Sequence, residues 1–273
     1  MNLSEIKAVE GVNAILLMTQ LGNLGGDALL DVLTGKVNPS GKTTDTWAKN
    51  YMDYPSSAKF SHNESVNDEM YEDGIYMGYR YFDSFEVETE YCFGFGRSYT
   101  EFELKAGEIS VNGNEVQVPV EVKNIGSKYA GKEVVQVYYS AIGGEMDKPY
   151  QELAAYKKTK LLAPGESEQL VLTYPVSQMA SYSEQEAAWV LEQGEYVIRV
   201  GNSSASTVAA GVAEVKESVK TVIAKNLFAL DVELKEIRPD AGKLAAKKQA
   251  SVGADVKRVV VDTAAIPTQT VVY

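Results

Sequence analysis

Hydrophobic and polar positions change rhythm twice along the chain. Val12 to Gln20, "VNAILLMTQ", is a short apolar run stopped by Gly22, the pattern of a buried strand in an α/β layer. "DALLDVL", Asp27 to Leu33, then sets Ala28, Leu29, Val32 and Leu33 on one helical face. Asp27 near its start suits the helix dipole, and Gly35 stands where a C-terminal cap belongs. The opening therefore reads strand, glycine turn, helix. From Lys49 to Asp73 the periodicity dissolves into a polar, acidic loop with scattered aromatics. "GIYMGYRYFD", Gly74 to Asp83, alternates with aromatics on both sides, which predicts a strand or extended arm.

After "FGFGRSYT", Phe93 to Thr100, the pattern is β throughout. Asn112-Gly113 separates "FELKAGEISV" from "NEVQVPVEVKN", where Val116, Val118, Val120 and Val122 alternate strictly, predicting a hairpin. Further strands are expected in "KEVVQVYYSA" from Lys132, "QELAAYKKTKL" from Gln151, "SEQLVLTYP" from Ser167 and "EYVIRVGNS" from Glu195. In the last of these, Tyr196, Ile198 and Val200 form the buried face. "APGES" at Ala163 and "EQGEY" at Glu192 supply turns. About seven short strands over roughly 110 residues predict a mainly β fold: an immunoglobulin-like β-sandwich of fibronectin type III architecture, preceded by an α/β segment. Beyond about Val215 regularity fades, and the end of the chain reads as a connector.

Composition narrows the chemistry. With 273 residues, 45% of them hydrophobic, the chain can bury a core and hold one to two domains. A net charge of -12 repels phosphate backbones and anionic lipid, so neither nucleic acid nor membrane is expected as a partner. Cys92 is the single cysteine and His62 the single histidine, which excludes an internal disulfide and the usual zinc ligand sets. No apolar run reaches spanning length, and the first twenty residues lack the layout of a secretory signal, so a cytoplasmic location is expected.

Individual residues are less telling. "GNLGGD" matches neither dinucleotide nor P-loop spacing, and Asp27 opposes a phosphate, so the glycines are read as tight strand-to-helix packing. His62 reads as a loop histidine without an identifiable partner. Arg80 between tyrosines either stacks on a sugar or carboxylate or ties its loop to the scaffold. Tyr138, Tyr139, Tyr150, Tyr156 and Trp189 are either a sugar-stacking platform or core.

A resemblance now becomes visible. "LGNLGGDALLDVLTGKVNPSGK", "DTWAKNY", "YEDGIYMGYRYFD", "FGFGRSYTEFEL", "GKEVVQVYYS", "ELAAYKKTKLLAPGESEQL" and "WVLEQGEYVIRVGNSS" follow one another as in glycoside hydrolase family 3, the β-glucosidase family. The resemblance covers about residues 10–205. It implies that residues 1–50 are the C-terminal part of the family's α/β-sandwich domain, 51–97 a crossing loop and arm, 98–215 a fibronectin type III-like domain, and 216–273 a connector towards a further domain. The glycine loop resembles the family's GxxGG turn, and "NPSGK" the exit loop after its helix.

What the family does is retaining glycoside hydrolysis, with two carboxylates about 5 to 5.5 Å apart. The resemblance places its nucleophile on a separate (β/α)8-type barrel and its acid/base upstream of the glycine turn. Neither motif is present in this sequence. Glu64, Glu69 and Glu72 match no family motif, so no catalytic, cofactor or metal residue is assigned and no cofactor is expected. The chain is therefore expected to be a fragment of a bacterial hydrolase, with a β-glucoside or oligosaccharide as substrate of the complete enzyme and the barrel as partner. "AKNLFALDVELKEI", Ala224 to Ile237, resembles the segment after the fibronectin-like domain in members whose barrel comes last. The alternative expectation is a stand-alone β-sandwich that binds carbohydrate or protein without hydrolysis.

Overall fold

A computed structural model describes residues 3–60, 65, 67–228, 230, 232–253 and 256–272. Its centre is the predicted sandwich. Strand β5 (Glu115–Asn124) is flanked along one edge by β3 (Phe102–Ala106) and β4 (Ser110–Asn112) and along the other by β8 (Ser167–Pro175). Facing it is a five-stranded sheet in the order β14 (Arg258–Val261), β12 (Val208–Val215), β11 (Gly194–Gly201), β6 (Val134–Ile142), β7 (Glu152–Lys158). The predicted β4–β5 hairpin forms with its register one residue on from the Asn-Gly pair. Asn112 pairs with Glu115, so Gly113 and Asn114 make the turn, and Gly113 supplies the positive φ of 58°.

The period of two explains the core. Val116, Val118, Val120 and Val122 of β5 are all 0% exposed and meet Val135, Val137 and Tyr139 of β6 and Tyr196, Ile198 and Val200 of β11. Burying each such valine contributes about 1.5–3 kcal/mol. Polar satisfaction adds to this at Asn124, which is fully buried. Its Oδ1 accepts from the Thr100 hydroxyl (2.6 Å) and the Gly126 N–H (3.1 Å), and its Nδ2 donates to the Tyr129 and Leu162 carbonyls (2.9 Å each).

Strand β6 differs from a two-layer expectation because its outer face is buried as well, including Gln136, Tyr138 and Ser140. The cover comes from two helices, α3 (Tyr79–Phe85) and α4 (Ala241–Ala250). Helix α3 replaces the strand expected in "GIYMGYRYFD". Tyr79 and Phe82, and Tyr81 and Phe85, are three and four residues apart, so the same aromatics that alternate also share helical faces. Tyr81 and Phe85 meet at 4.7 Å between ring centroids, and Tyr79 stands edge-on to Tyr138 at 5.8 Å. Gly78 (φ 54°) opens the helix and Glu86 (φ 57°) closes it.

The end of the chain is more ordered than the connector reading allowed. Strand β13 (Val219–Ile223) joins β10 (Ala188–Leu191), which pairs with β9 (Ser181–Ser183) in a smaller sheet. Strand β14 pairs in parallel with β12, and β15 (Gln269–Thr270) pairs in parallel with β13. Val261 and Ile266 are buried in the main core. The hydrophobic pattern hid this because β14 contributes only Val261 as a fully buried side chain.

The opening segment departs in the other direction. Helix α2 (Gly25–Leu33) forms as predicted, with Gly35 (φ 73°) just past its end. Gly25 is buried because a Cβ there would lie 2.3 Å from the Leu21 Cβ, which supports the close-packing reading of the glycine turn. Residues 12–19, however, carry no strand, and Val12, Ile15, Leu16 and Leu17 are 40–49% exposed. An isolated strand has no partner for its backbone groups, and none is supplied here by the described residues. A short helix, α1 (Ser4–Lys7), precedes them, and a two-stranded pair, β1 (Trp47–Ala48) with β2 (Thr89–Tyr91), fastens the loop and arm.

Candidate functional site

The segment around α2 presents an apolar face that nothing among the described residues covers. Leu30 and Leu33 are 58% and 65% exposed, and Leu16, Leu17, Leu21 and Leu24 are exposed beside them in the chain. Contiguous apolar surface of this kind marks a docking face. The loop behind it is firmly held. Asn38 donates to the Ala130 carbonyl (3.0 Å) and accepts from Ser98 Oγ (3.0 Å) and the Tyr99 N–H (2.8 Å). The Thr43 N–H donates to the Phe95 carbonyl at 2.7 Å, and Lys42 pairs with Glu133 at 2.8 Å. The "NPSGK" and "FGFGRS" stretches thus meet in space and fix the α2 segment against the sandwich.

On the arm lies a two-lobed cleft. Asn50 and Asp53 close a 3-10 turn over Tyr51–Asp53 reciprocally, the Asn50 N–H donating to Asp53 Oδ2 at 2.9 Å. This turn presents Tyr54, whose hydroxyl accepts from the Ala48 N–H (3.1 Å) and donates to the Thr46 carbonyl (3.3 Å). Its ring stands edge-on to Phe82 at 5.7 Å. Tyr54, Pro55 and Gly78 separate a lobe of about 410 Å³, bordered by Asp45, Thr46 and Trp47, from one of about 260 Å³, bordered by Tyr51, Phe60, Asp73 and Met77. Desolvation pushes the Asp73 carboxyl up from its ordinary value. Thr46 is 6% exposed, and its hydroxyl has no hydrogen-bond partner.

A third cluster is buried where arm, sandwich and tail meet. Gln151 Nε2 donates to Asp83 Oδ2 (2.9 Å) and the Ser204 carbonyl (2.6 Å), while its Oε1 accepts from Thr207 Oγ1 (2.9 Å). Arg199 donates to the same Thr207 hydroxyl (2.9 Å) and lies over the Tyr150 ring at 5.3 Å. Lys247 of α4 donates to the Asp83 carbonyl at 2.6 Å. Desolvation raises the Asp83 carboxyl to about 6, although Gln151, Lys247 and Arg199 all favour its charge. Next to it, burial pulls Lys248 down to about 8, with the Lys148 ammonium adding to the effect. This cluster fastens the arm to the sheet, although Arg199 Nη1 and Ser204 Oγ are buried in it without a hydrogen-bond partner.

Residues singled out from the sequence fall in different places. Arg80 pairs with Glu152 at 3.4 Å, so it ties the arm to β7. Tyr138 and Tyr139 are 0% and 6% exposed and belong to the interior, whereas Tyr156 and Trp189 are 71% and 46% exposed. The five aromatics therefore do not form one platform. His62 and Glu64 lie outside the described residues. Glu69 is half-buried on the loop. Glu72 is ion-paired with Lys59 and accepts from the Lys235 N–H, and these contacts, Lys59 foremost, hold its carboxyl below the ordinary value. Among the described residues no three His, Cys, Asp or Glu side chains gather as metal ligands, and no helix is long and apolar enough to cross a membrane. Sequence reading passed over Thr46, Asp83, Lys247 and Lys248. Thr46 sits at the end of the segment read as part of the α/β domain, Asp83 in the arm, and Lys247 and Lys248 in the segment read as a connector, so no periodicity pointed to them.

Comparison with known proteins agrees with these structural features. The profile of the glycosyl hydrolase family 3 C-terminal domain matches residues 1–79, and that of a fibronectin type III-like domain matches residues 133–204. β-Glucosidase A of Butyrivibrio fibrisolvens is 40% identical over 223 residues, covering 74% of this chain and 26% of the relative. A β-glucosidase of Kluyveromyces marxianus is 36% identical over 201 residues, covering 73% and 23%, so the relatives are not confined to bacteria. The structure of β-glucosidase 3B from Thermotoga neapolitana in complex with glucose superposes with a TM-score of 0.67 at 45% identity, covering 74% of this chain and 28% of that one. The chain thus spans about a quarter of the length of the curated relatives it matches. From the glycine turn to the last sandwich strands, it belongs to glycosyl hydrolase family 3, carrying that family's C-terminal domain together with a fibronectin type III-like domain.

Proposed function

We propose that this chain is the supporting portion of a retaining β-glucosidase that removes terminal β-D-glucosyl residues from small glucosides in carbohydrate catabolism. The observation that carries the reading is the exposed apolar side chains of Leu16, Leu17, Leu30 and Leu33, followed in the chain by a loop that Asn38 and Thr43 tie to residues 130 and 95. Apolar surface of this kind fits the docking of further polypeptide. The relatives are β-glucosidases three to five times as long as the part they share with this chain. In this reading the partner is a (β/α)8-type barrel bearing the nucleophile, joined either before or after these residues.

The test is reconstitution. The purified chain is assayed on a chromogenic β-glucoside alone and after mixing with a separately expressed barrel and the upstream part of the α/β domain. Turnover only on mixing supports the proposal. Turnover by the chain alone overturns the division of labour.

A further inference from the structure

The tail crosses the arm before it rejoins the sandwich. Between β13 and β14, residues 232–250 touch both the arm and the loop that follows β6. On the arm side, the Lys235 N–H donates to Glu72 Oε1 (3.2 Å) and the Ile237 N–H to the Glu72 carbonyl (2.9 Å). Lys247 Nζ donates to the Asp83 carbonyl (2.6 Å) and has the Glu86 carboxylate at 3.7 Å. On the sandwich side, Arg238 pairs with Asp147 at 2.7 Å, and Lys248 Nζ donates to the Lys148 carbonyl at 3.0 Å. Charge matches across the contact. Residues 232–250 carry five cations against three carboxylates, whereas residues 69–86 of the arm carry five carboxylates and Arg80 as their one cation.

Two features work against a permanent contact. Within 232–250 only Leu244 and Lys248 are buried, so little apolar area holds the segment down. Lys248 is 7% exposed, and among the described residues no carboxylate stands within ion-pair distance of it. Asp147 and Glu152 attract it from farther away, while the Lys148 ammonium repels it. A buried cation whose hydrogen-bond partner is a carbonyl opposes its own burial. We propose that residues 232–250 form a releasable strap that, when docked, clamps residues 72–77 of the arm to the sandwich and, when lifted, stays tied to the molecule through β13 and β14. Lys247 and Arg238 hold the strap down, and Lys248 pushes it up. Helix α4 is ten residues long, too short to persist in water once undocked, so its amides report each lifting event. The inference does not depend on the proposed hydrolytic role.

Hydrogen exchange of the full chain, followed by mass spectrometry, tests it. Peptides covering 241–250 and 72–77 should exchange together, at least about tenfold faster than β5 and β11 after correction for intrinsic rates. Raising NaCl from about 50 mM to about 1 M screens the ion pairs and should speed both peptides about threefold, with β5 and β11 unchanged. Arg238→Ala with Lys247→Ala should speed both about tenfold. Lys248→Met keeps the length and removes the buried charge, so it should slow both by about fivefold or more. That variant decides the question where the double variant does not fold. Exchange of 241–250 at the rate of β5, opening of 241–250 without 72–77, or unchanged or faster exchange in Lys248→Met would each overturn the proposal.

Discussion

The backbone of Gly96 passes so close to Gly41 that a Cβ at position 96 would lie 2.2 Å from the Gly41 carbonyl oxygen. No side chain can stand there without moving the backbone of the "NPSGK" loop. Gly96→Ala should therefore destabilise by about 2 kcal/mol or more, with strain rather than lost burial as its cause. Urea unfolding would register this as a lower midpoint at constant slope. A wild-type midpoint would show that the two loops are not in contact.

Asn124 has a partner for each polar valence, all within the interior. Asn124→Ala leaves the Tyr129 and Leu162 carbonyls and the Gly126 N–H without their partner. A loss of about 2–4 kcal/mol is expected, visible in the thermal midpoint.

Asp83 gives a pH signature. Its carboxyl titrates near 6 in the folded chain against an ordinary value of 3.8. The native state thus holds a proton that the unfolded chain has lost between those values, and the contribution of Asp83 to stability falls as pH rises through that window. Asp83→Asn should gain on wild type by on the order of 2 kcal/mol between pH 4 and pH 7. Parallel stability curves for the two proteins would refute the assignment.

Lys248 acts on the alkaline side. Burial lowers it to about 8 from 10.5, so here the unfolded chain holds the extra proton and stability grows as pH climbs from 8 to 10.5. Lys248→Met keeps the length and removes the charge. It should raise the melting temperature at pH 7, and the advantage should shrink by pH 10.

The face at α2 predicts behaviour in solution. Leu30→Asp with Leu33→Asp changes exposed positions, so the melting temperature should move little. Self-association, followed by sedimentation, should drop, and any turnover regained by mixing with a barrel should be lost. Unchanged association would remove α2 from the docking surface.

How far the sequence carried the reading depended on local periodicity. The strict alternation of Val116 to Val122 and of Tyr196 to Val200 identified the sandwich because one face of each strand is dry. Where both faces are covered, as in β6, alternation still found the strand but not its second cover, since α3 and α4 come from distant parts of the chain. The seven aromatic and flanking residues of α3 satisfy periods of two and of 3.6 alike, and packing against Tyr138 decided for the helix. The run at Val12 had a strand's composition without a strand's neighbours. Of the cleft, Tyr54 was visible as a loop aromatic, whereas the unsatisfied state of Thr46 is a property of three-dimensional burial alone.

The parallel pairing of β14 with β12 has a consequence for biosynthesis. Val215 ends β12, yet the strand that closes its free edge begins at Arg258, 43 residues later. During translation the sandwich leaves the ribosome with that flank bare until the tail arrives. A nascent chain stalled in this interval displays an open hydrogen-bonding ladder to its neighbours on the polysome. Strand β14 therefore serves as the stopper of that edge.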